Sequence, residues 1–147
     1  MLRPAPEVQA IAWDLMKTVP VHAPLAAVRI EYVFMQKNPV KNNRIVLGRV
    51  RKVGGLAAYF ADDSFLEADR FLPAVPFFVM EIAEPTWLEL DDKKRRALVD
   101  HELCHCVVDD EVVDAPPKLS TRGHDLEEFI GIVNRHGLWS ADIELFT

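Results

Sequence analysis

His101-Glu102-Leu103-Cys104-His105 is the stretch on which the reading of this chain turns. Imidazoles four residues apart on a helix stand one turn above the other, so both can reach a single Zn²⁺ at roughly 2.0 to 2.1 Å. Glu102 projects beside them, placed to take a proton from water that the metal has acidified and to return it later to a leaving group. Ligand, ligand and base within five residues point to zinc hydrolase chemistry.

The flanks support a helix. Asp91-Asp92-Lys93-Lys94-Arg95-Arg96-Ala97-Leu98-Val99-Asp100 opens with acids, continues with good helix formers and contains neither Gly nor Pro. Continued as a helix through the motif, Leu98, His101, His105 and Val108 share one face. Val99, Leu103, Cys106 and Val107 lie around the other side and enter a core. Cys104 and Cys106, the only cysteines, then point to different sides, so both are expected to be reduced, with Cys104 as a small buried filler.

A catalytic zinc takes three protein ligands plus water, and HExxH supplies two. Downstream, Leu126, Phe129, Ile130 and Val133 form a helical stripe that Gly137 ends, and Asp125 with Glu128 resembles a capping box. His124 stands at the mouth of that helix behind Gly123 and is the leading third ligand. Glu127 or Glu128 would instead give a His₂Glu site, and Asp125 could orient a ligand. Tyr59, Arg135 and His136 are the candidate donors to a developing oxyanion. His136 is otherwise accounted for by a helix C-terminus, and His22, just after Pro20, by a surface or capping role.

Elsewhere the order is α+β. Pro6 to Val19 has a helical apolar spacing that Pro20 stops, whereas Val28 to Met35 reads as a strand with Ile30, Tyr32 and Phe34 on one face. Arg44 to Val53 reads as a second strand and Gly54-Gly55 as a turn; Leu56 to Ala61 and Phe77 to Ala83 are further strand candidates. Asp109 to Gly123, with four acids and Pro116-Pro117, reads as a connecting loop with a solvated acidic surface.

Composition sets the remaining bounds. The 147 residues, half hydrophobic and 27% charged, suit a single soluble domain over 1–147 with a core of its own. No apolar run approaches a membrane span, and Glu7, Asp14 and Lys17 interrupt any signal-like segment, so a cytoplasmic location is expected. Although the net charge is −6, no acid occurs between Glu31 and Asp62, an interval holding Lys37, Lys41, Arg44, Arg49, Arg51 and Lys52. That interval is a candidate for weak contact with nucleic acid or acidic protein, or a plain solvent face that discourages edge pairing.

With HELCH followed by Gly123-His124-Asp125 and an aromatic at Phe129, the stretch Val99 to Trp139 resembles the zincin metallopeptidases. Within them it is most similar to small SprT-like domains and to the metallopeptidases of phages and prophages. The resemblance implies a minimal zincin fold: an N-terminal helix, a small mostly antiparallel sheet, the HExxH helix and a C-terminal ligand-bearing helix. It also implies Zn²⁺ held by His101, His105 and His124, Glu102 as general base, and a polypeptide substrate. Two departures stand out. The aromatic falls five residues after His124 where SprT-like sequences place it four after, which keeps Glu127 and Glu128 open, and the HxxGxxH continuation of metzincins is absent. A zinc amidohydrolase for a small amide and a catalytically silent binding module are the rival readings.

Overall fold

In the computed structural model the described residues are 2–41, 44–54, 76–109 and 118–122. The elements run β1 (Leu2–Pro4), α1 (Pro6–Thr18), a 3₁₀ helix (Pro20–Ala27), β2 (Ile30–Met35), β3 (Val40–Lys41), β4 (Arg44–Ile45), β5 (Gly48–Val53), β6 (Phe77–Ala83), α2 (Glu84–Glu89), α3 (Asp92–Cys104), β7 (Cys106–Asp109) and β8 (Lys118–Thr121). The result is α+β, as the order of the sequence signals implies. Among the described residues no helix is long and apolar enough to cross a membrane.

Four strands form the main sheet in the order β1-β2-β6-β5. Its outer pairs are antiparallel and its central pair, β2 with β6, is parallel, in the register Ile30↔Phe78 to Met35↔Ala83. The apolar run Phe77–Ala83 suits this place, because a central strand is covered on both faces and needs no polar alternation. Its even-numbered side chains, Phe78, Met80 and Ile82, are fully buried with Tyr32 and Phe34 in the core that α1 and α3 complete through Val8, Ala12, Leu15, Leu98, Val99 and Leu103. Trp87 on α2 closes one end, its ring edge-on to Phe34 at 5.8 Å.

The other face of the sheet explains the acid-free interval. Glu81 on β6 is only 4% exposed, and its carboxylate receives Arg49 Nε at 2.7 Å and Arg51 Nε at 3.0 Å from β5. Two of the six basic residues therefore share one buried carboxylate of the same sheet, which offsets one of their two charges. Arg29 lies over the Phe77 ring at 4.0 Å on this face. Lys37 and Lys52 are exposed.

Several expectations need correction. The strand read over Arg44 to Val53 is two: β4 pairs with β3, and β5 begins only at Gly48. The 3₁₀ helix was not foreseen, because Pro20 and Pro24 look like terminators; both tolerate the fixed φ of a short tight helix that keeps few internal hydrogen bonds. Helix α3 ends at Cys104, with His105 as its C-cap, so Cys106 and Val107 belong to strand β7 and not to a helical face. The loop read over Asp109 to Gly123 contains β8, which pairs antiparallel with β7 from Cys106↔Thr121 to Asp109↔Lys118. Leu56 to Ala61 and the helix after Gly123 lie outside the described residues.

Asp91 caps α3 by accepting the Lys94 backbone N–H at 2.8 Å, while Asp92 adds charge at the positive end of the helix. Phe78→Ala is expected to remove about 3 to 5 kcal/mol of stability, the range for truncating a fully buried aromatic. Asp91→Ala is expected to remove about 1 kcal/mol, the range for losing a cap. Urea unfolding of both variants checks the ranking, and equal losses would contradict the core assigned to Phe78.

Candidate metal centre

The centre is built on the last turn of α3. His101 and His105 stand one turn apart with ring centroids 5.2 Å from each other and planes at 65°. Glu102 lies beside them, its Oε1 3.8 Å from His101 Nε2. One donor atom from each of the three falls within 4.8 Å of the others, which is close enough for a single cation. Two imidazoles and a carboxylate are borderline donors of the kind zinc takes, so the residues present fit such an ion.

The C-terminal end of the helix is held from outside. His105 Nδ1 donates to the backbone carbonyl of Arg122 at 2.7 Å; a carbonyl can only accept, so the ring proton sits on Nδ1 and Nε2 offers a lone pair. Pinning one ring nitrogen in this way fixes both the tautomer and the orientation of a metal-binding histidine. Arg122 makes two further bonds: its backbone N–H donates to the His105 carbonyl at 3.0 Å, and its Nε to the Cys104 carbonyl at 2.9 Å. The guanidinium thus sits where the helix dipole is negative and satisfies a carbonyl of the final turn. Strand β8 exists, in functional terms, to deliver Arg122 to this place, since it is the residue directly after β8.

Glu102 is 2% exposed and lies under the first residue of β5. A Cβ built on Gly48 would come within 3.1 Å of Glu102 Oε1 and 2.9 Å of Ile82 Cδ1. Glycine is therefore favoured by close approach at this point, and it brings β5, an edge strand among the described residues, directly beside the carboxylate. Nothing in the sequence marked Gly48, because a glycine opening a strand usually signals only a turn.

Around the helix from the two histidines, Asp100 is fully buried and His22 is 2% exposed, and His22 Nε2 lies 2.6 Å from Asp100 Oδ1. The surface or capping role expected for His22 is therefore wrong. The 3₁₀ helix turns this residue inward against α3, and a buried carboxylate needs such a donor. Both cysteines are free thiols, as expected, but they do not diverge: both line a cavity of about 250 Å³ with His22, Leu25, Leu103 and Arg122. Burial pushes the Cys106 thiol well above its ordinary range, and the nearby Glu102 and Cys104 add to that rise. A second cavity, of about 430 Å³, lies between α1, the 3₁₀ helix and β2 and touches none of the HExxH side chains.

The structure thus brings His101, Glu102 and His105 together. His124, Asp125, Glu127, Glu128, Tyr59, Arg135 and His136 lie outside the described residues. Two comparisons return nothing: no curated protein and no solved structure matches the chain. A family model described as "Putative phage metallopeptidase" matches residues 2–147.

Gly48→Ala is expected to remove roughly 1 to 3 kcal/mol of stability, because the added methyl must displace the packed Ile82 or the Glu102 carboxylate. Urea unfolding measures it, and unaltered stability would contradict the contact between β5 and Glu102.

Proposed function

The chain belongs to the phage metallopeptidase family, and from that premise we propose that it is a zinc-dependent peptidase in which His101, His105 and His124 hold the metal and Glu102 is the general base. The observation that carries the reading is the pinned imidazole of His105, whose Nδ1 is committed to the Arg122 carbonyl while one donor atom each of His101, Glu102 and His105 lies within 4.8 Å of the others. A helix that merely happened to carry two histidines would have no reason to fix one of them by its far nitrogen.

Bound at this centre, zinc supplies a Lewis acid that polarises a carbonyl and brings the acidity of water into the neutral range. The protein residues do the rest. Glu102 accepts the proton of the attacking water and then delivers it to the departing amine, so one carboxylate serves both halves of the hydrolysis. Its carboxylate packs closely under Gly48. His105 keeps its orientation throughout because its second nitrogen is already satisfied. The substrate is an extended polypeptide that adds to the edge that β5 forms among the described residues, where backbone hydrogen bonds give affinity and the scissile bond is carried past Glu102. Tyr59, Arg135 and His136 are the candidates for the oxyanion donor, and the target is a cytoplasmic protein.

Glu102→Gln is expected to preserve fold and zinc content while lowering turnover by about 10²- to 10⁴-fold, the usual contribution of a general base. Cleavage of an unfolded protein substrate by the metallated variant measures it. Full activity in that variant would remove Glu102 from the mechanism.

A further inference from the structure

Helix α3 carries a second pair of donors at i and i+4. Asp100 and Cys104 repeat the spacing of His101 and His105 one residue earlier, and so occupy the adjoining face of the same helix. His22 reaches that face from the 3₁₀ helix, 78 residues away in sequence. One donor atom each from His22, Asp100 and Cys104 lies within 4.8 Å of the others. None of the three belongs to the HExxH centre.

We propose that His22, Asp100 and Cys104 form a second cation site, for Zn²⁺, that clamps the 3₁₀ helix to the helix bearing the HExxH motif. The donor set is one nitrogen, one oxygen and one sulfur, a combination zinc accepts and the harder cations Mg²⁺ and Ca²⁺ do not. Charge favours it as well. A carboxylate and a thiolate together neutralise a divalent ion, so the loaded site carries no net charge into the interior, which is what burial demands.

Geometry requires little movement. Tetrahedral ligands at about 2.0 to 2.3 Å from zinc sit roughly 3.3 to 3.8 Å from each other. His22 and Asp100, now 2.6 Å apart, would therefore part by a fraction of an ångström, and Cys104 already lies within 4.8 Å of both. On binding, the ring proton of neutral His22 passes through solvent from Nε2, where it bonds Asp100, to Nδ1, so that the Nε2 lone pair turns to the ion; Asp100 exchanges that hydrogen bond for a bond to metal, and the Cys104 thiol releases one proton to solvent. Access exists through the cavity of about 250 Å³ that His22 and Cys104 line. Because the site joins two elements and not two substrates, its role is to fix the register of α3, and through it the stance of His101 and His105.

The test is metal stoichiometry together with the absorption of the cobalt-substituted full-length protein, comparing wild type with Cys104→Ser, His22→Gln, Cys106→Ser and His101→Ala. Two metal ions per chain are expected in the wild type, with a near-ultraviolet thiolate-to-cobalt charge-transfer band that survives in Cys106→Ser and His101→Ala. In Cys104→Ser and His22→Gln one ion is expected to be lost, and in Cys104→Ser the band with it. A wild type without any thiolate band overturns the proposal and leaves His22 and Asp100 as a hydrogen-bonded packing pair; that reading needs no variant to fold. A band that persists in Cys104→Ser, or that disappears in His101→Ala, also overturns it, the latter because the thiolate would then be serving the HExxH centre. Failure of the HExxH centre alone shows separately, as a wild type with one ion that keeps the thiolate band.

Discussion

Helix α3 takes two carboxylates into the interior, and the elements around it are arranged to make that tolerable. An isolated buried carboxylate is costly enough that it would normally take up a proton or unfold its surroundings. Asp100 is met by His22 at 2.6 Å, which is why a 3₁₀ helix rather than a surface loop follows α1. Glu102 is roofed by Gly48, where an added Cβ would come within 3.1 Å of its Oε1. A third buried acid, Glu81, is handled on the far side of the sheet by Arg49 and Arg51. Each acid thus has a neighbour from a distant part of the chain, and those contacts join the sheet, the 3₁₀ helix and α3 alongside the shared apolar core.

The end of α3 is as constrained as its middle. A helix that simply frayed after Cys104 would leave carbonyls open and His105 free to rotate. Instead the chain turns at once into β7, and β8 returns alongside to set Arg122 against the Cys104 and His105 carbonyls and His105 Nδ1. The β7–β8 ribbon is small, and an isolated two-stranded ribbon has marginal stability of its own. It persists here because its end is bonded to a helix terminus that needs donors and its Leu119 is buried in the common core. The orientation of the His105 imidazole is in this way inherited from backbone pairing in β7 and β8.

Where one residue's neighbours are local, the sequence was legible. Helical spacing in Pro6–Thr18, the apolar run Phe77–Ala83, and the acid-led, Gly-free segment before the motif each correspond to an element with nearly the expected limits. The three-residue core of the centre, His101, Glu102 and His105, was legible for the same reason: one helical turn determines it. What failed depended on distant partners. Extending the helix to Val108 ignored the pull of β8 on β7, a pairing with no signal in either strand alone. His22 was read from its proline neighbours, whereas its place is decided by Asp100 on another helix. The pairing of Arg49 and Arg51 with Glu81 was hidden for the same reason, because Glu81 lies on the next strand of the sheet and not in the interval. Gly48 could not be noticed until the carboxylate beneath it was known.

The most direct test of the central claim, that the end of α3 is a metal centre with its geometry set in advance, is anomalous diffraction at the zinc edge from crystals of the zinc-supplied protein. The expected result is a peak at about 2.0 to 2.1 Å from both His101 and His105 through their Nε2 atoms, with His105 Nδ1 still bonded to the Arg122 carbonyl. A map with no anomalous peak between these two imidazoles, in protein that had been offered zinc, would contradict it.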